Sequence, residues 1–263
     1  MSISGILIAA ALVGGLGLFI GVFLGVAGKK YEVEADEKES YVRDELPGNN
    51  CGGCGYPGCD GLAKAIAAGE APANACPVGG EPTARRIAEI MGTDAGTSIR
   101  MTAFVKCSGD CGKTKDNYIY TGVEDCSMLK YVPTGGPKGC NYGCLGYGTC
   151  TRECPFDALH IINGIAVVDK EACKACSKCV TACPKKLIEL VPYEQSVFVV
   201  CSSGDKGKAV MNTCVIGCIA CKKCEKKCPV DAIHVVDNIA HIDYDKCTNC
   251  GICRSECPRH CII

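Results

Sequence analysis

Two cysteine-rich stretches near the end of the chain decide its fold. They read Cys218-x-x-Cys221-x-x-Cys224-x-x-x-Cys228-Pro229 and Cys247-x-x-Cys250-x-x-Cys253-x-x-x-Cys257-Pro258. Three cysteines on one tight loop can hold three corners of an iron–sulfur cube, whereas the fourth, just before a proline, ligates the other cluster of a pair. The spacing therefore predicts two [4Fe–4S] clusters with exchanged ligands. The predicted sets are Cys218, Cys221, Cys224 and Cys257 for one cluster, and Cys247, Cys250, Cys253 and Cys228 for the other.

The composition sets the chain apart from ordinary globular proteins, because 26 of its 263 residues are cysteines. Such a count indicates either a secreted disulfide scaffold or a metal-loaded protein in a reducing compartment. Neighbouring cysteines at two-residue spacing cannot easily pair with one another, which favours metal binding. A net charge of −1 gives no reason to expect nucleic acid as a partner. The absence of Trp indicates small domains stabilised by metal centres rather than one large aromatic core.

The N-terminal stretch predicts a membrane anchor. Residues 3–27 are apolar or glycine apart from Ser4, which is long enough to span a bilayer. A cleaved signal peptide is the alternative, but no Lys or Arg precedes the run, and the run is too long for a signal peptide's apolar region. Lys29 and Lys30 follow at once, so the positive-inside rule places the N-terminus outside and the remaining chain in the cytoplasm. We expect a transmembrane helix over 1–28 in the cytoplasmic membrane and a charged, solvated linker over 29–50.

A third cysteine motif predicts a small helical domain over 51–97. Its ligands would be Cys51, Cys54, Cys59 and Cys76. The turn that carries the first three is rich in Gly and Pro, so backbone N–H groups can approach cluster sulfurs closely. A four-cysteine zinc site is the alternative, but zinc ligands usually come as two separated pairs. The three-plus-one arrangement favours a [4Fe–4S] cluster.

The rest of the chain contains an internal repeat. The segments Phe104–Cys107 and Phe198–Cys201 align, and each is followed by another cysteine, Cys126 or Cys214, and then by a ferredoxin-like unit. We therefore predict two tandem two-cluster modules, over 98–192 and 193–263. Residues 156–168 and 230–242 each read as strand, tight turn and strand. The overall expectation is an α+β protein.

The first copy of the repeat is less regular than the second. Its opening loop, Cys140-x-x-x-Cys144-x-x-x-x-x-Cys150, has four more residues than the usual spacing. We predict that its clusters bind Cys140, Cys144, Cys150 and Cys183 in one case, and Cys154, Cys173, Cys176 and Cys179 in the other. Five [4Fe–4S] clusters follow in total.

Six cysteines remain outside these sets: Cys107, Cys111, Cys126, Cys201, Cys214 and Cys261. Because several occupy repeat-equivalent places, their presence has a structural or functional reason. Buried structural thiols are the favoured interpretation, and ligation of a further cluster is the alternative left open.

Lysines crowd two of the predicted cluster loops. They are Lys222, Lys223, Lys226 and Lys227 in the second module, and Lys174, Lys178, Lys185 and Lys186 in the first. Clustered positive charge could steer an acidic redox protein to a docking surface. Ordinary solvated lysines are the alternative.

The order of these parts resembles the RnfB proteins of Rnf complexes, which are ion-translocating ferredoxin:NAD⁺ oxidoreductases. The resemblance rests on the N-terminal apolar stretch, the Cys51–Cys76 motif and the tandem ferredoxin units, and it covers essentially the whole chain. It implies a subunit that exchanges electrons with soluble ferredoxin and assembles with other subunits at the lipid bilayer, in a complex coupled to Na⁺ or H⁺ transport. The sequence has no G-x-G-x-x-G motif after a strand, so NAD⁺ and flavin are expected on partner subunits and no complete active site is expected here. The alternatives are an electron-transfer subunit of a different membrane reductase and a zinc-binding structural protein.

Overall fold

A computed structural model describes residues 3–30, 37–97 and 99–263. The helices are α1 Ile3–Lys30, α2 Glu37–Glu45, α3 Gly58–Ala67, α4 Gly80–Met91, α5 Thr149–Arg152, α6 Lys178–Ala182, α7 Gly207–Thr213, α8 Lys223–Lys227 and α9 Ile252–Ser255. The strands are β1 Met101–Val105, β2 Leu159–Ile162, β3 Ile165–Val168, β4 Ile188–Pro192, β5 Ile233–Val236 and β6 Ile239–Ile242. Two short 3₁₀ turns cover Met128–Tyr131 and Pro133–Gly135.

Helix α1 has the length and composition of a membrane-spanning helix. Its window Ala11–Gly28 has a mean hydropathy of 2.2, and none of that window is buried against the rest of the chain. A helix this apolar, with no protein covering it, is consistent with membrane anchoring.

Helices α2, α3 and α4 form the small domain that carries the Cys51–Cys76 motif. Helices α3 and α4 lie within residues 51–97, where the sequence predicts a small helical domain. Helix α2, however, lies within the stretch 29–50 that was predicted to be a solvated linker. Its Val42 and the following Leu46 are buried against Leu62, Ile66 and Ile87. Residues 37–46 of the stretch predicted as a linker are therefore packed on the core, through two apolar side chains in an otherwise charged segment.

Two antiparallel hairpins, β2–β3 and β5–β6, occupy equivalent places in the repeat. Leu159 pairs with Val168 and Ile233 with Ile242, so the two hairpins have the same register. Their two-residue turns, 163–164 and 237–238, adopt positive φ throughout, as tight hairpin turns require. The structure thus confirms the predicted strand–turn–strand units and the mixture of helix and strand.

A further pairing ties the beginning of each repeat to its end. Strand β1 runs antiparallel to β4, with Ala103 opposite Leu190. In the second repeat the same role falls to a bridge between Val199 and Ile262. The sequence pattern did not indicate this pairing. The four shortest helices then present one buried cysteine each: Cys150 on α5, Cys179 on α6, Cys224 on α8 and Cys253 on α9.

Candidate iron–sulfur centres

The second repeat brings its predicted ligands together around two cavities. A cavity of about 330 Å³ is lined by Cys228, Cys247, Cys250 and Cys253. A second, of about 320 Å³, is lined by Cys218, Cys221, Cys224 and Cys257, with Cys261 beside them. Each cavity thus takes three cysteines from one loop and the fourth from the other half of the repeat. This is the exchanged arrangement that the spacing predicts.

In the first repeat one cavity follows the same rule and the other differs from it. Cys154, Cys173, Cys176 and Cys179 line a cavity of about 290 Å³, as predicted. The neighbouring cavity, of about 360 Å³, is lined by Cys126, Cys144, Cys150 and Cys183. Cys140 lies in another cavity, with Cys107, Cys201 and Cys214. The structure therefore contradicts the predicted grouping of Cys140 with Cys144, Cys150 and Cys183.

The loop carrying Cys126 is fastened to the start of helix α5, which explains the difference. The Cys126 N–H donates to the Thr149 hydroxyl at 2.9 Å, and that hydroxyl donates to Asp125 at 3.2 Å. Asp125 also accepts from the Ser127 N–H at 2.7 Å and forms an ion pair with Arg152. The longer loop between Cys144 and Cys150 leaves one corner of the site without a local cysteine. A cysteine distant in sequence takes that corner.

Asp125 is a strongly stabilised carboxylate in this network. Hydrogen bonds from the Ser127 side chain and backbone, and then from Arg152 and Thr149, lower the pKa of Asp125 to about 2. Asp125 consequently stays charged at physiological pH and holds the Cys126 loop against α5. Sequence spacing did not indicate this positioning residue.

Backbone N–H groups reach the sulfurs in a repeated pattern. Three of the cysteines that precede a proline accept the same kind of hydrogen bond. In each case the donor is the backbone N–H of the residue four positions later, and the acceptor is the cysteine Sγ. The donors and acceptors are Ala158 to Cys154 at 3.4 Å, Leu187 to Cys183 at 3.4 Å, and Ala232 to Cys228 at 3.3 Å. Such donors orient metal ligands and stabilise thiolate charge.

Most ligand thiols are buried among other thiols. Burial raises the pKa of Cys150 and of Cys179 to about 12, and the nearby cysteines add to the rise. Burial likewise raises the pKa of Cys224 to about 11. Thiols in such surroundings keep their protons unless a positively charged centre replaces those protons. A bound iron centre replaces them.

Cys261 is a fifth thiol beside the Cys218 cavity. Its Sγ lies 3.6 Å from the Cys257 Sγ, and this contact lowers the pKa of Cys257. In the first repeat the equivalent position, four residues after the cysteine that precedes proline, is the buried Leu187. Cys261 therefore occupies the position of an apolar core residue in the repeat, and not the position of a cluster ligand.

The Cys51–Cys76 motif forms a compact site in the helical domain. Cys59 and Cys76 are buried, with Cys54 packed against them. The Gly79 N–H donates to the Cys76 Sγ at 3.3 Å. Burial raises the pKa of Cys76, and the neighbouring Cys54 and Cys59 raise it further. Three of the four predicted residues, Cys54, Cys59 and Cys76, are thus close enough to interact electrostatically.

This site adjoins the first repeat. A Cβ built on Gly53 would lie 2.9 Å from the backbone oxygen of Cys176, and Cys51 interacts electrostatically with the Cys176 thiol. Only a residue without a side chain permits this approach. The two candidate centres are therefore direct neighbours.

The arrangement of the thiols fits clusters better than single ions. Within the described ranges, no three His, Cys, Asp or Glu side chains converge on a point where one ion could bind. A tetrahedral zinc site needs every sulfur about 2.3 Å from the ion. Here the sulfurs surround cavities, so the donor sets suit the larger cubane, with one thiolate for each corner.

One further contact to a ligand sulfur comes from a side chain. Gln195 is buried, and its Nε2 donates to the Cys247 Sγ at 3.4 Å and to the Val197 oxygen at 3.0 Å. A side-chain donor at this distance can tune a cluster's potential. Nothing in the cysteine spacing points to it.

Family comparisons support iron–sulfur clusters as the cofactor class. A family model described as a putative Fe-S cluster matches residues 46–78. Models of a 4Fe-4S dicluster domain match residues 172–233 and 211–258. The matched ranges contain the Cys51 site and most of the ferredoxin-like cysteines.

Similar proteins cover nearly the whole chain. The RnfB protein of the Na⁺-translocating ferredoxin:NAD⁺ oxidoreductase complex of Acetobacterium woodii is 49% identical over 99% of this chain and 78% of the relative. Its counterpart in an ion-translocating oxidoreductase complex of Methanosarcina acetivorans is 42% identical over 96% of both. The chain belongs to the RnfB family. An RnfB protein of Clostridium ljungdahlii, named for a proton-translocating complex, is 39% identical over 92% of this chain and 87% of the relative. Membership confirms the resemblance and the assignment to iron–sulfur electron transport.

Proposed function

We propose that this RnfB chain is a membrane-anchored wire of [4Fe–4S] clusters. It exchanges electrons with soluble ferredoxin and passes them to the other subunits of an ion-pumping ferredoxin:NAD⁺ oxidoreductase complex. The observation that carries the proposal is the set of four cavities that are each lined by four proposed ligand cysteines, together with the Cys51–Cys76 motif next to one of them. The names of the relatives from A. woodii and C. ljungdahlii supply ferredoxin and NAD⁺ as the redox partners.

Four of the five proposed ligand sets follow the cavities, and the fifth, at Cys51, follows the spacing of its motif. They are Cys51, Cys54, Cys59 and Cys76; Cys154, Cys173, Cys176 and Cys179; Cys126, Cys144, Cys150 and Cys183; Cys218, Cys221, Cys224 and Cys257; and Cys228, Cys247, Cys250 and Cys253. The last four sets make two tandem two-cluster modules. A bound cluster supplies one-electron chemistry, while the protein fixes its position, donates N–H groups to its sulfurs and limits the access of water.

Solvent exposure favours the second module as the place where electrons arrive. Cys221 and Cys250 are exposed, whereas every proposed ligand of the first module is buried or half-buried. A cluster near the surface can exchange electrons with a soluble carrier. The more enclosed clusters are then suited to internal transfer.

The lysines around helix α8 support the same location. Lys222, Lys223, Lys226 and Lys227 are all exposed and flank the exposed Cys221. In the first module, by contrast, Lys178 and Lys185 are only half-exposed, and the Nζ of Lys185 donates to the backbone oxygen of Asn141, in another loop of that module, at 2.7 Å. We therefore assign the docking surface for acidic ferredoxin to α8 and its flanks. Clustered positive charge raises the rate of encounter with an acidic partner.

Helix α1 provides the anchor in this proposal. Lys29 and Lys30 follow its apolar stretch, which favours an outside N-terminus and cluster domains in the cytoplasm. The reducing cytoplasm keeps the cysteines available for iron.

The first test asks whether the chain binds iron–sulfur clusters at all. The purified protein should be brown, with a broad absorbance at about 400 nm that dithionite bleaches, and the five cubanes proposed above set a lower limit of about twenty irons per chain. A colourless protein loaded with zinc would refute the proposal.

The second test concerns docking. Lys223→Glu/Lys227→Glu should slow reduction by ferredoxin about tenfold or more at low salt, and the difference should shrink as salt screens the charges. The matched control is Lys174→Glu/Lys186→Glu, which makes the same charge change at two exposed lysines of the first module. Equal rates for the two variants across the salt range would exclude α8 as the docking surface.

A further inference from the structure

Four of the cysteines outside the regular motifs line one cavity. Cys107, Cys140, Cys201 and Cys214 surround a space of about 450 Å³ between the two repeats. We propose that these four cysteines bind a sixth [4Fe–4S] cluster, which conducts electrons from one ferredoxin-like module to the other. The inference deepens the proposed function and rests on it.

Equivalent residues of the two repeats supply the site in pairs. Cys107 and Cys201 end the matching Phe-Val-x-Cys segments. Cys140 and Cys214 each lie four residues before a ligand of the next cluster, Cys144 or Cys218. Those two ligands are themselves equivalent, because hairpin alanines at matching positions, Ala166 and Ala240, donate their N–H groups to them.

Reciprocal contacts around the cavity show the same approximate two-fold relation. The Ser108 N–H donates to the Val200 oxygen at 3.2 Å, and the hydroxyl of the equivalent Ser202 donates to the Lys106 oxygen at 2.9 Å. The rings of the equivalent residues Phe104 and Phe198 stack with centroids 4.3 Å apart. The repeats thus pack face to face, and each contributes two thiols to their interface. A duplicated module with two such cysteines creates one four-cysteine site when its copies pair.

The environment of these thiols matches that of the other proposed sites. The cavity is lined by four cysteines, as are three of the four ferredoxin-type cavities. Backbone N–H groups reach two of its sulfurs, at 3.4 Å for Cys107 and 3.3 Å for Cys201. Burial raises the pKa of Cys201 to about 11, and the Cys140 thiol contributes to that rise. The space, the thiols and the N–H donors that a cubane needs are therefore all present.

The N–H donors also place the site between two others. The Cys107 sulfur accepts from the N–H of Cys144, a ligand of the first module. The Cys201 sulfur accepts from the N–H of Cys218, a ligand of the second module. A cluster here would be separated from the first-module cluster by the backbone of Cys144 alone, and from the second-module cluster by the backbone of Cys218 alone. In each transfer one cluster is oxidised by one electron and its neighbour is reduced by one, with no bond made or broken.

Iron analysis of the full-length chain tests this proposal. The wild type should contain about twenty-four irons, and Cys107→Ala/Cys201→Ala about twenty, because one cubane is lost. The control Cys111→Ala removes an exposed cysteine that lines none of these cavities, and its iron content should equal that of the wild type. Equal iron in the wild type and the double variant, or zinc in place of the missing iron, overturns the sixth cluster. A chain without iron would instead overturn the proposed function itself.

Spectroscopy keeps the test valid if the double variant folds poorly. The single variant Cys214→Ala should remove the signal of one reduced cluster from the EPR spectrum and leave the spin-coupled signals of both two-cluster modules intact. It should also slow electron transfer from the second module to the first, measured by freeze-quench EPR after reduction by ferredoxin. An unchanged set of EPR signals with an unchanged transfer rate would refute the assignment.

Discussion

The most discriminating prediction concerns the fourth ligand of the irregular cluster. Sequence spacing assigns that corner to Cys140, whereas the structure places Cys126 there, with Cys144, Cys150 and Cys183. Cys126→Ala should therefore damage this cluster. Cys140→Ala should leave it intact and remove the proposed interface cluster instead.

The size of the effect follows from what the substitution leaves in place. The loop is held by the Cys126 N–H on Thr149 and by the contacts of Asp125 with Ser127 and Arg152, none of which involves the Cys126 side chain. Cys126→Ala should thus remove one thiolate without releasing the loop. We expect a loss of about one iron if the cluster survives as [3Fe–4S], and of about four if it is lost.

The assay combines iron analysis with EPR of the reduced protein. Spin coupling between this cluster and its partner at Cys173 should disappear in Cys126→Ala and persist in Cys140→Ala. Because both variants are expected to lose iron, the coupling identifies which cluster is affected. Coupling retained in Cys126→Ala and lost in Cys140→Ala would refute the structural assignment and restore the prediction made from spacing.

Three other substitutions test single contacts. Cys261→Leu should leave the iron content unchanged, because this thiol occupies a core position; loss of about four irons would make it a ligand. Gln195→Met removes the N–H donor to Cys247 and should lower the reduction potential of that cluster by about 40 mV, which corresponds to one net hydrogen bond of about 1 kcal/mol. An EPR-monitored redox titration measures this potential, and an unchanged value would contradict the role of Gln195. Gly53→Val should force the helical domain away from Cys176 at a cost of about 1–3 kcal/mol and slow electron exchange between their centres, measured by freeze-quench EPR; an unchanged rate would show that this contact is dispensable.

The ligands of the regular cysteine motifs could be predicted directly because they lie close together in the sequence. Three cysteines within seven residues fix one loop, and the cysteine before proline identifies the partner cluster. Tight turns with Asn163-Gly164 and Asp237-Asn238 likewise made the hairpins predictable. These features depend on short-range geometry, which a sequence records well.

Cys126 could not be placed in the same way because its position depends on a long loop. The contacts that hold its loop, with Thr149 and Arg152, span more than twenty residues, and no periodicity indicates them. One signal was available: Cys140-x-x-x-Cys144 has the same spacing as Cys214-x-x-x-Cys218. That equality pairs Cys140 with Cys214, and not Cys126 with Cys214 as the order of cysteines had indicated.

The duplication itself accounts for the continuity of the proposed wire. A two-cluster ferredoxin fold passes electrons well within itself, but two separate folds leave a gap where they meet. Here the gap is lined by thiols because each copy carries two cysteines on the face that it presents to the other copy. The proposed centres then form one series: the Cys51 site, the Cys173 and Cys144 sites, the interface site, and the Cys218 and Cys247 sites. The helical domain is at one end of this series, and the second module, with the exposed lysines of α8, is at the other end. Electrons that arrive from a soluble carrier at α8 would therefore cross the interface cluster before they reach the helical domain.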